Sequence, residues 1–413
     1  MLDISLEGGL EEVDKAGTYW VRHNSLYWPD IEPEEGKRTW DEDLEKQLIA
    51  AHDRNLQVIL IVRGTPEWAQ KVDGSVCGPI KQEKFEAFAS FLKDAVVRYS
   101  QSPYFVNYWE ICNEPDAPIS DHTWPFGCWG DKNDSYFGGG YYAEMLKLAY
   151  QAVKSAAPQA IVLLGGLLLD CDPINPPEYP PGSGEYKDCT SSKFLEGVLL
   201  NGGGDYFDIV SFHAYDYYGS ALGKFGNPNW HSAWNTTGPS LIAKANYLLS
   251  VLSAYGYSDK PLINTENSLL CYAGCNKKFE ATKAFYLAEA YASLQAMGLS
   301  GNIWYDVYGG WLDSGLLYKN DKPRPAYGAL ITAHERFAHA NYTRPIGDGV
   351  EITGYEFEQG DRRVWVLWSQ NGATHIVTLP SKPDAMWDAV GNFLTPVTTL
   401  SLDIVPTYIE WDS

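Results

Sequence analysis

Over its first 340 residues the sequence alternates short β-branched runs with helical patterns, and this alternation constrains the fold more than any other feature. Strand runs are read at residues 2–6, 19–23, 57–62, 105–112, 161–164, 207–212, 262–265 and 302–305. Helical stretches are read at 41–55, 82–99, 141–157, 192–200, 240–255, 278–297 and 326–340. The first connection, residues 9–16, is short but carries Leu10 and Val13 at helical spacing. An unbroken series of strand–helix units predicts a closed (β/α)8 TIM barrel, an α/β fold, rather than an open doubly wound sheet. No G-x-G-x-x-G follows any of the strands, which weighs against a dinucleotide fold.

The pattern changes after Tyr342. Runs at 351–357, 363–369, 375–379 and 407–411 alternate in strand fashion, and Asn371-Gly372 marks a hairpin turn. The expected organisation is a catalytic barrel over residues 1–341 and a small antiparallel β-sandwich domain over 342–413, a division that 413 residues accommodate. Residues 116–140 and 165–190 are too long for connectors and read as loops that build a cleft.

Composition narrows the partners. A formal charge of −22 repels nucleic acid and anionic lipid, and no run of about 18 apolar residues exists to cross a bilayer. The 15 Trp and 28 Tyr supply flat amphipathic rings suited to a cleft that stacks apolar ligand faces, although many must serve the core. Six of the seven cysteines fall in loop-like stretches, whereas Cys112 lies in an apolar strand run. Three loop disulfides and one buried thiol would account for them and imply an oxidising compartment. Pairing of neighbours (Cys171 with Cys189, Cys271 with Cys275, Cys77 with Cys128) is one of fifteen connectivities. No pair of cysteines shows metal-ligand spacing with histidines, so no metal is expected. The chain opens at Met1-Leu2-Asp3 and runs directly into the first strand, so secretion is expected with the leader already removed.

Barrel enzymes carry their catalytic groups at the C-terminal ends of the strands. The fourth strand run ends in Asn113-Glu114-Pro115, the seventh in Glu266-Asn267 and the sixth in His213-Ala214-Tyr215. The second ends in Arg22-His23-Asn24, and the eighth carries Trp304-Tyr305. Glycoside hydrolysis needs two carboxyl groups flanking one bond, one to protonate the leaving oxygen and one to attack the anomeric carbon. Strands four and seven of an eight-stranded barrel lie opposite one another, so Glu114 and Glu266 can converge on one ring. Arg22 could hold the nucleophile ionised, Asn113 could donate to a sugar 2-hydroxyl, and Trp304 offers an apolar face. Any one of these residues alone would be read as a salt-bridged or packed side chain; their joint occurrence at five strand ends is the signal.

The run Trp109-Glu110-Ile111-Cys112-Asn113-Glu114-Pro115 resembles the W-E-I-W-N-E-P motif of clan A glycoside hydrolases. Trp20-Val-Arg22, Trp28 to Pro33, Gly64 to Trp68, Asp208 to Tyr215, Ile303 to Tyr305 and Lys322 to Tyr327 also look like that clan, in the expected order, and Val364 to Trp368 looks like its accessory sandwich. The likeness is to family 39 and family 5-like enzymes with a C-terminal β domain. It implies Glu114 as acid/base and Glu266 as nucleophile. It also implies Arg22, Asn113, His213, Tyr215, Trp304 and Trp68 as sugar-binding residues, with Trp124, Trp129, Trp230 and Trp311 as further possible platforms. Two departures stand out: Cys112 where the clan has Trp, and Asn264-Thr265-Glu266-Asn267-Ser268 around the nucleophile. The expected activity is retaining hydrolysis of a β-linked polysaccharide or oligosaccharide without a cofactor, because two carboxylates suffice. Transglycosylation on the same scaffold, a carbohydrate-binding barrel without catalysis, and a metal-dependent barrel hydrolase are the rivals. For the last of these no ligand cluster is apparent at the strand ends.

Overall fold

The computed structural model describes residues 9–119, 127–178, 183–185, 187–219 and 225–412, so the strand expected at residues 2–6 lies outside the described residues. The chain is a (β/α)8 barrel followed by a small antiparallel β sandwich. It divides into two compact units, one comprising Tyr19–His213 and Ala245–Glu266, the other Glu11–Thr18, Ala214–Lys244 and the chain from Asn267 onward.

In the first unit the strands β1 (Trp20–Tyr27), β2 (Gln57–Arg63), β3 (Tyr108–Asn113) and β4 (Ile161–Leu167) pair in sequence order, all parallel, and β5 (Ile209–Tyr218) continues the series. Five of the seven residues of β2 are buried, as expected of a strand covered on both faces. Strand β3 begins three residues later than the sequence pattern suggests. Phe105 adopts φ +52 and Val106 N–H donates to Tyr99 O at 2.9 Å, so the segment turns before it extends. Helix α1 (Gly9–Lys15) falls mostly in the other unit; the helices here are α2 (Trp28–Ile31), α3 (Glu42–His52), α4 (Phe85–Tyr99), α5 (Gly139–Ala156), α6 (Phe194–Leu200) and the greater part of α7 (Ser240–Ala254). Asp41 caps α3 by accepting from Asp43 N and Leu44 N. Phe88, Phe91 and Leu92 form the buried stripe of α4, and Phe91 stacks on Trp28 and on Trp40.

In the second unit the hairpin β6 (Phe225–Asn227) and β7 (Trp230–Ser232) adds to the end of β5 through Tyr217 opposite His231. Strand β8 (Leu262–Cys271), buried along its whole length, pairs with β5 and with β9 (Asn302–Trp304). Helices α8 (Lys277–Met297) and α9 (Pro325–Phe337) lead into β10 (Asn341–Gly347), β11 (Ile352–Gln359), β12 (Arg362–Ser369), β13 (His375–Thr378), β14 (Ala385–Trp387), β15 (Phe393–Leu394), β16 (Thr399–Leu402) and β17 (Thr407–Asp412). Six of these form one sheet in the order β10-β11-β12-β17-β14-β15, while β13 pairs only with β16. The two-residue period of β12 divides its side chains between two cores. Val364, Val366 and Trp368 pack with Phe357, Tyr408 and the small residues Ala288, Ala292 and Ala333 of α8 and α9. Trp365 and Leu367 pack with Ile409, Trp411, Leu400 and Leu402.

Asn371-Gly372 does not close a hairpin. The strands on either side, β12 and β13, belong to different sheets, and the left-handed Gly372 (φ +76) directs the chain from one to the other. The three disulfides join Cys77 to Cys128, Cys171 to Cys189 and Cys271 to Cys275, and Cys112 is a buried free thiol.

Phe337 lies 5.0 Å from the Phe357 ring in a stacked pair and also stacks on Tyr408. Phe337→Ala should therefore cost about 3–5 kcal/mol, read as a lower midpoint in urea unfolding with an unchanged slope.

Candidate active site

The first unit brings Arg22, Asn113, Glu114, His213 and Glu266 together, and it adds a residue that the sequence reading passed over, Glu110. Arg22 is fully buried on β1. Its Nε donates to Glu110 Oε2 at 2.6 Å and its Nη2 to Glu110 Oε1 at 3.1 Å. Its Nη1 donates to Glu266 Oε1 at 2.5 Å, and Nη2 also reaches Asn113 Oδ1 at 2.7 Å. One planar guanidinium thus orients three side chains through its fixed fork of donors. Glu110 is itself fully buried and also accepts from Gly166 N at 2.6 Å and Ser211 Oγ at 2.8 Å. The signal for Glu110 was available: it is a charged residue in the middle of a strand otherwise made for burial, and such a group requires a partner.

Glu114 stands one residue beyond β3, with φ +43, and its N–H donates to Gly166 O at 2.9 Å. This bond carries the parallel pairing of β3 with β4 one step past the strand. The Gly165-Gly166 pair makes the arrangement possible. A Cβ on Gly166 would stand 2.2 Å from His213 Nε2 and 2.9 Å from Glu110 Oε1, and one on Gly165 would stand 2.4 Å from Ile111 O. Absent side chains on β4 therefore give the imidazole and Glu110 their space.

His213, fully buried near the middle of β5, places Nδ1 at 2.8 Å from Glu114 Oε1 and 3.5 Å from Glu266 Oε2. One ligand-type atom from each of Glu114, His213 and Glu266 lies within 4.8 Å of the others. The two carboxyl groups consequently approach closely enough to flank a single bond. The same cluster supplies two carboxylates and an imidazole, a donor set a divalent cation could use, so the absence of any ligand cluster inferred from the sequence does not hold. The Arg22 guanidinium beside Glu266 opposes a cation there, because it brings a like charge against the same carboxylate.

The remaining candidates make the following contacts. Trp68 donates its indole N–H to Glu32 O at 3.1 Å and meets Trp28 edge-on. In the second unit, Trp304 is 5 % exposed and donates to Ser314 O at 2.9 Å, while Tyr215 packs edge-on against Tyr305 and Trp311. Trp129 and Trp230 are buried and serve as packing, Trp124 lies outside the described residues, and Trp311 is exposed.

Asp116, two residues past Glu114, ties β3 to the exit of β4 by accepting from Leu168 N and Leu169 N, both at 2.8 Å. Burial pushes its carboxyl up to about 6.

No protein-family model matches the chain, and no curated protein matches it. Solved structures do. A family 39 glycoside hydrolase from the gut symbiont Bacteroides cellulosilyticus is 21% identical with a TM-score of 0.72, over 97% of this chain and 77% of that one. A glycoside hydrolase family 30 subfamily 8 xylanase from Clostridium acetobutylicum is 14% identical with a TM-score of 0.62, over 98% and 92%. BuGH86, solved in complex with neoagarooctaose, is 10% identical with a TM-score of 0.60, over 97% and 70%. At such identities the likeness is one of fold.

Two outcomes follow from this geometry. Glu110→Ala leaves the buried Arg22 without its bidentate partner and should destabilise the protein by about 3–5 kcal/mol, measured by denaturant unfolding. For Asp116 the folded pKa lies above the unfolded one, so its contribution is present below about pH 4 and is lost as pH rises through about 6. The stability of wild type relative to Asp116→Asn should accordingly fall by about 3 kcal/mol between pH 3.5 and pH 7, followed by thermal unfolding across that range.

Proposed function

We propose that the chain is a retaining O-glycoside hydrolase acting on a β-linked polysaccharide or oligosaccharide. The observation that carries this reading is the approach of Glu114 and Glu266, whose ligand-type oxygens come within 4.8 Å of one another. Two oxygens that close are compatible with the roughly 5–5.5 Å between carboxyl groups on which double displacement depends.

Glu266 is the nucleophile. Arg22 holds Oε1 and favours the ionised form, so that Oε2 attacks the anomeric carbon as the glycosidic bond breaks. Glu114 gives its proton to the departing oxygen and then takes one from the water that cleaves the glycosyl ester, returning both groups to their starting states. His213, hydrogen-bonded to Glu114, fixes the orientation of the acid. With Asn113 Oδ1 engaged by Arg22, the amide nitrogen is the end that can donate to the 2-hydroxyl. Tyr215, Trp304 and Trp68 are kept as sugar-binding candidates. The accessory domain is assigned to residues 342–413, and the three disulfides support secretion.

A screen on aryl β-glycosides and on β-glucans, mannans and xylans identifies the substrate. On a substrate with a poor leaving group Glu114→Gln should lose about 10²–10⁴ in kcat; full turnover would remove Glu114 from the role. Azide added to Glu266→Gly should give a glycosyl azide of inverted configuration, seen by NMR. Loss of wild-type activity in EDTA, restored by a divalent cation, would instead establish the metal-dependent rival.

A further inference from the structure

We infer that residues 127–130, crosslinked through Cys128 to Cys77, are a positioning clamp for the carboxyl group of Glu114. The disulfide then serves the chemistry as well as the fold. The inference rests on the reading of Glu114 as the proton donor of a glycosidase, and all the groups concerned belong to the first unit.

Glu114 needs such support because its own backbone does not favour the position. Its φ of +43 lies in the left-handed region, which a residue with a long side chain enters rarely, so its surroundings must hold it there. The peptide joining Asn113 to Glu114 is gripped at both edges. Its N–H donates to Gly166 O of β4. Its carbonyl points the opposite way, as in any trans peptide, and Gly127 closes on it: a Cβ there would stand 1.6 Å from Asn113 O and 2.8 Å from Glu114 O. The following residues continue the contact. Trp129 N donates to Pro115 O at 3.0 Å, and Gly130 N to Ala117 O and Ile119 N to Gly130 O, both at 2.9 Å. The buried Trp129 ring meets Tyr142 edge-on at 5.4 Å, and the Tyr142 hydroxyl donates to Ile111 O of β3 at 2.6 Å. The turn that carries Glu114 is thus held by β4 at one peptide edge and by residues 127–130 at the other.

The clamp has a fixed anchor. Cys77 belongs to the loop that leaves β2, the strand paired with β3, and both half-cystines are buried. That loop is tied to itself: Thr65 N donates to Val76 O at 2.8 Å, Thr65 Oγ1 to Gly78 O at 2.6 Å, Gln70 Nε2 to Thr65 O at 3.0 Å and Lys71 N to Pro79 O at 2.8 Å. Ser75 Oγ lies 3.3 Å from Cys128 Sγ, and a Cβ on Gly78 would stand 3.0 Å from the same sulfur. A crosslink between residues 51 apart stabilises a fold wherever it falls. This one falls on the residue after Gly127, so it also sets the distance between the anchored loop and the Asn113–Glu114 peptide. Freed of the bond, residues 127–130 can open locally without unfolding the barrel. The Glu114 backbone is then at liberty to leave the left-handed region, and its carboxyl group to leave the 2.8 Å contact with His213 Nδ1. Nothing in this chain of contacts touches the Arg22–Glu266 pair, so the loss falls on proton donation and spares the nucleophile.

The test separates the two carboxyl groups by leaving group. Wild type and the Cys77→Ser/Cys128→Ser double variant are assayed on phenyl and 2,4-dinitrophenyl β-glycosides of glucose, xylose, mannose and their β-1,4 disaccharides. Dinitrophenolate departs without a proton, whereas phenol needs one, and kcat/KM reports the step in which the bond breaks. The double variant should lose at least about tenfold in kcat/KM on the phenyl glycoside, part of the full contribution of acid catalysis, and stay within about threefold on the dinitrophenyl one. Gly127→Ala, which keeps the crosslink but drives a methyl group at Asn113 O, should show the same split and serves alone if the double variant does not fold. Hydrogen exchange followed by mass spectrometry supplies a readout independent of turnover. Peptides covering residues 108–119 and 127–138 of either variant should exchange at least about tenfold faster, with the peptide that contains Glu266 unchanged. Equal losses on both leaving groups, or unchanged exchange in those peptides, overturn the inference. Faster exchange confined to them in a protein that cleaves no glycoside would sink the glycosidase reading and leave the clamp on Glu114 standing.

Discussion

A single buried cation organises the candidate site. Arg22 has no exposure to water, and burying a guanidinium is tolerable only when its charge and its donors are met. Glu110 meets the charge side-on with two bonds, Glu266 takes a third and Asn113 a fourth. The division of labour matters. The guanidinium is thus shared, and its Nη1 bond to Glu266 is made to Oε1, the oxygen other than the one assigned to the proposed attack.

That arrangement depends on what β4 leaves out. Glu110, Glu114 and His213 crowd against the backbone of residues 165 and 166, which offers a donor to one carboxylate and an acceptor to the peptide N–H of another residue. A side chain at 166 would meet the imidazole, and one at 165 the backbone carbonyls of Ile111 and Cys112. Asp116 then ties the same two strands together one turn further on. The end of β3 is thus defined by its neighbour as much as by its own sequence, and the backbone takes positive φ there at both Cys112 and Glu114.

The fold was largely legible because parallel strands buried on both faces, such as β2, appear as uninterrupted apolar runs. Glu114 was legible through its Asn-Glu-Pro context; Arg22, His213 and Glu266 were read as strand ends, although β1, β5 and β8 run on past them to Tyr27, Tyr218 and Cys271. Glu110 escaped because a strand-end reading attends to exits and ignores mid-strand positions. Strand β10 escaped for the opposite reason: most of its residues are exposed and it contains Pro345, so no two-residue period of hydrophobicity marks it. Asn371-Gly372 has the chemistry of a hairpin turn, but which sheet the next strand joins is a tertiary matter that a dipeptide does not encode. Trp129 and Trp230 could not be told from Trp311 by sequence, since burial and not residue type separates packing from display.

An odd cysteine in a disulfide-bonded chain is a standing hazard, because a free thiolate can attack any of the existing bonds and exchange partners with it. Here the seventh cysteine is Cys112, enclosed in β3, and burial holds its thiol far above the usual range. The folded protein therefore withholds the nucleophile that shuffling needs. Exchange between that thiol and the three crosslinks would first require the strand to open.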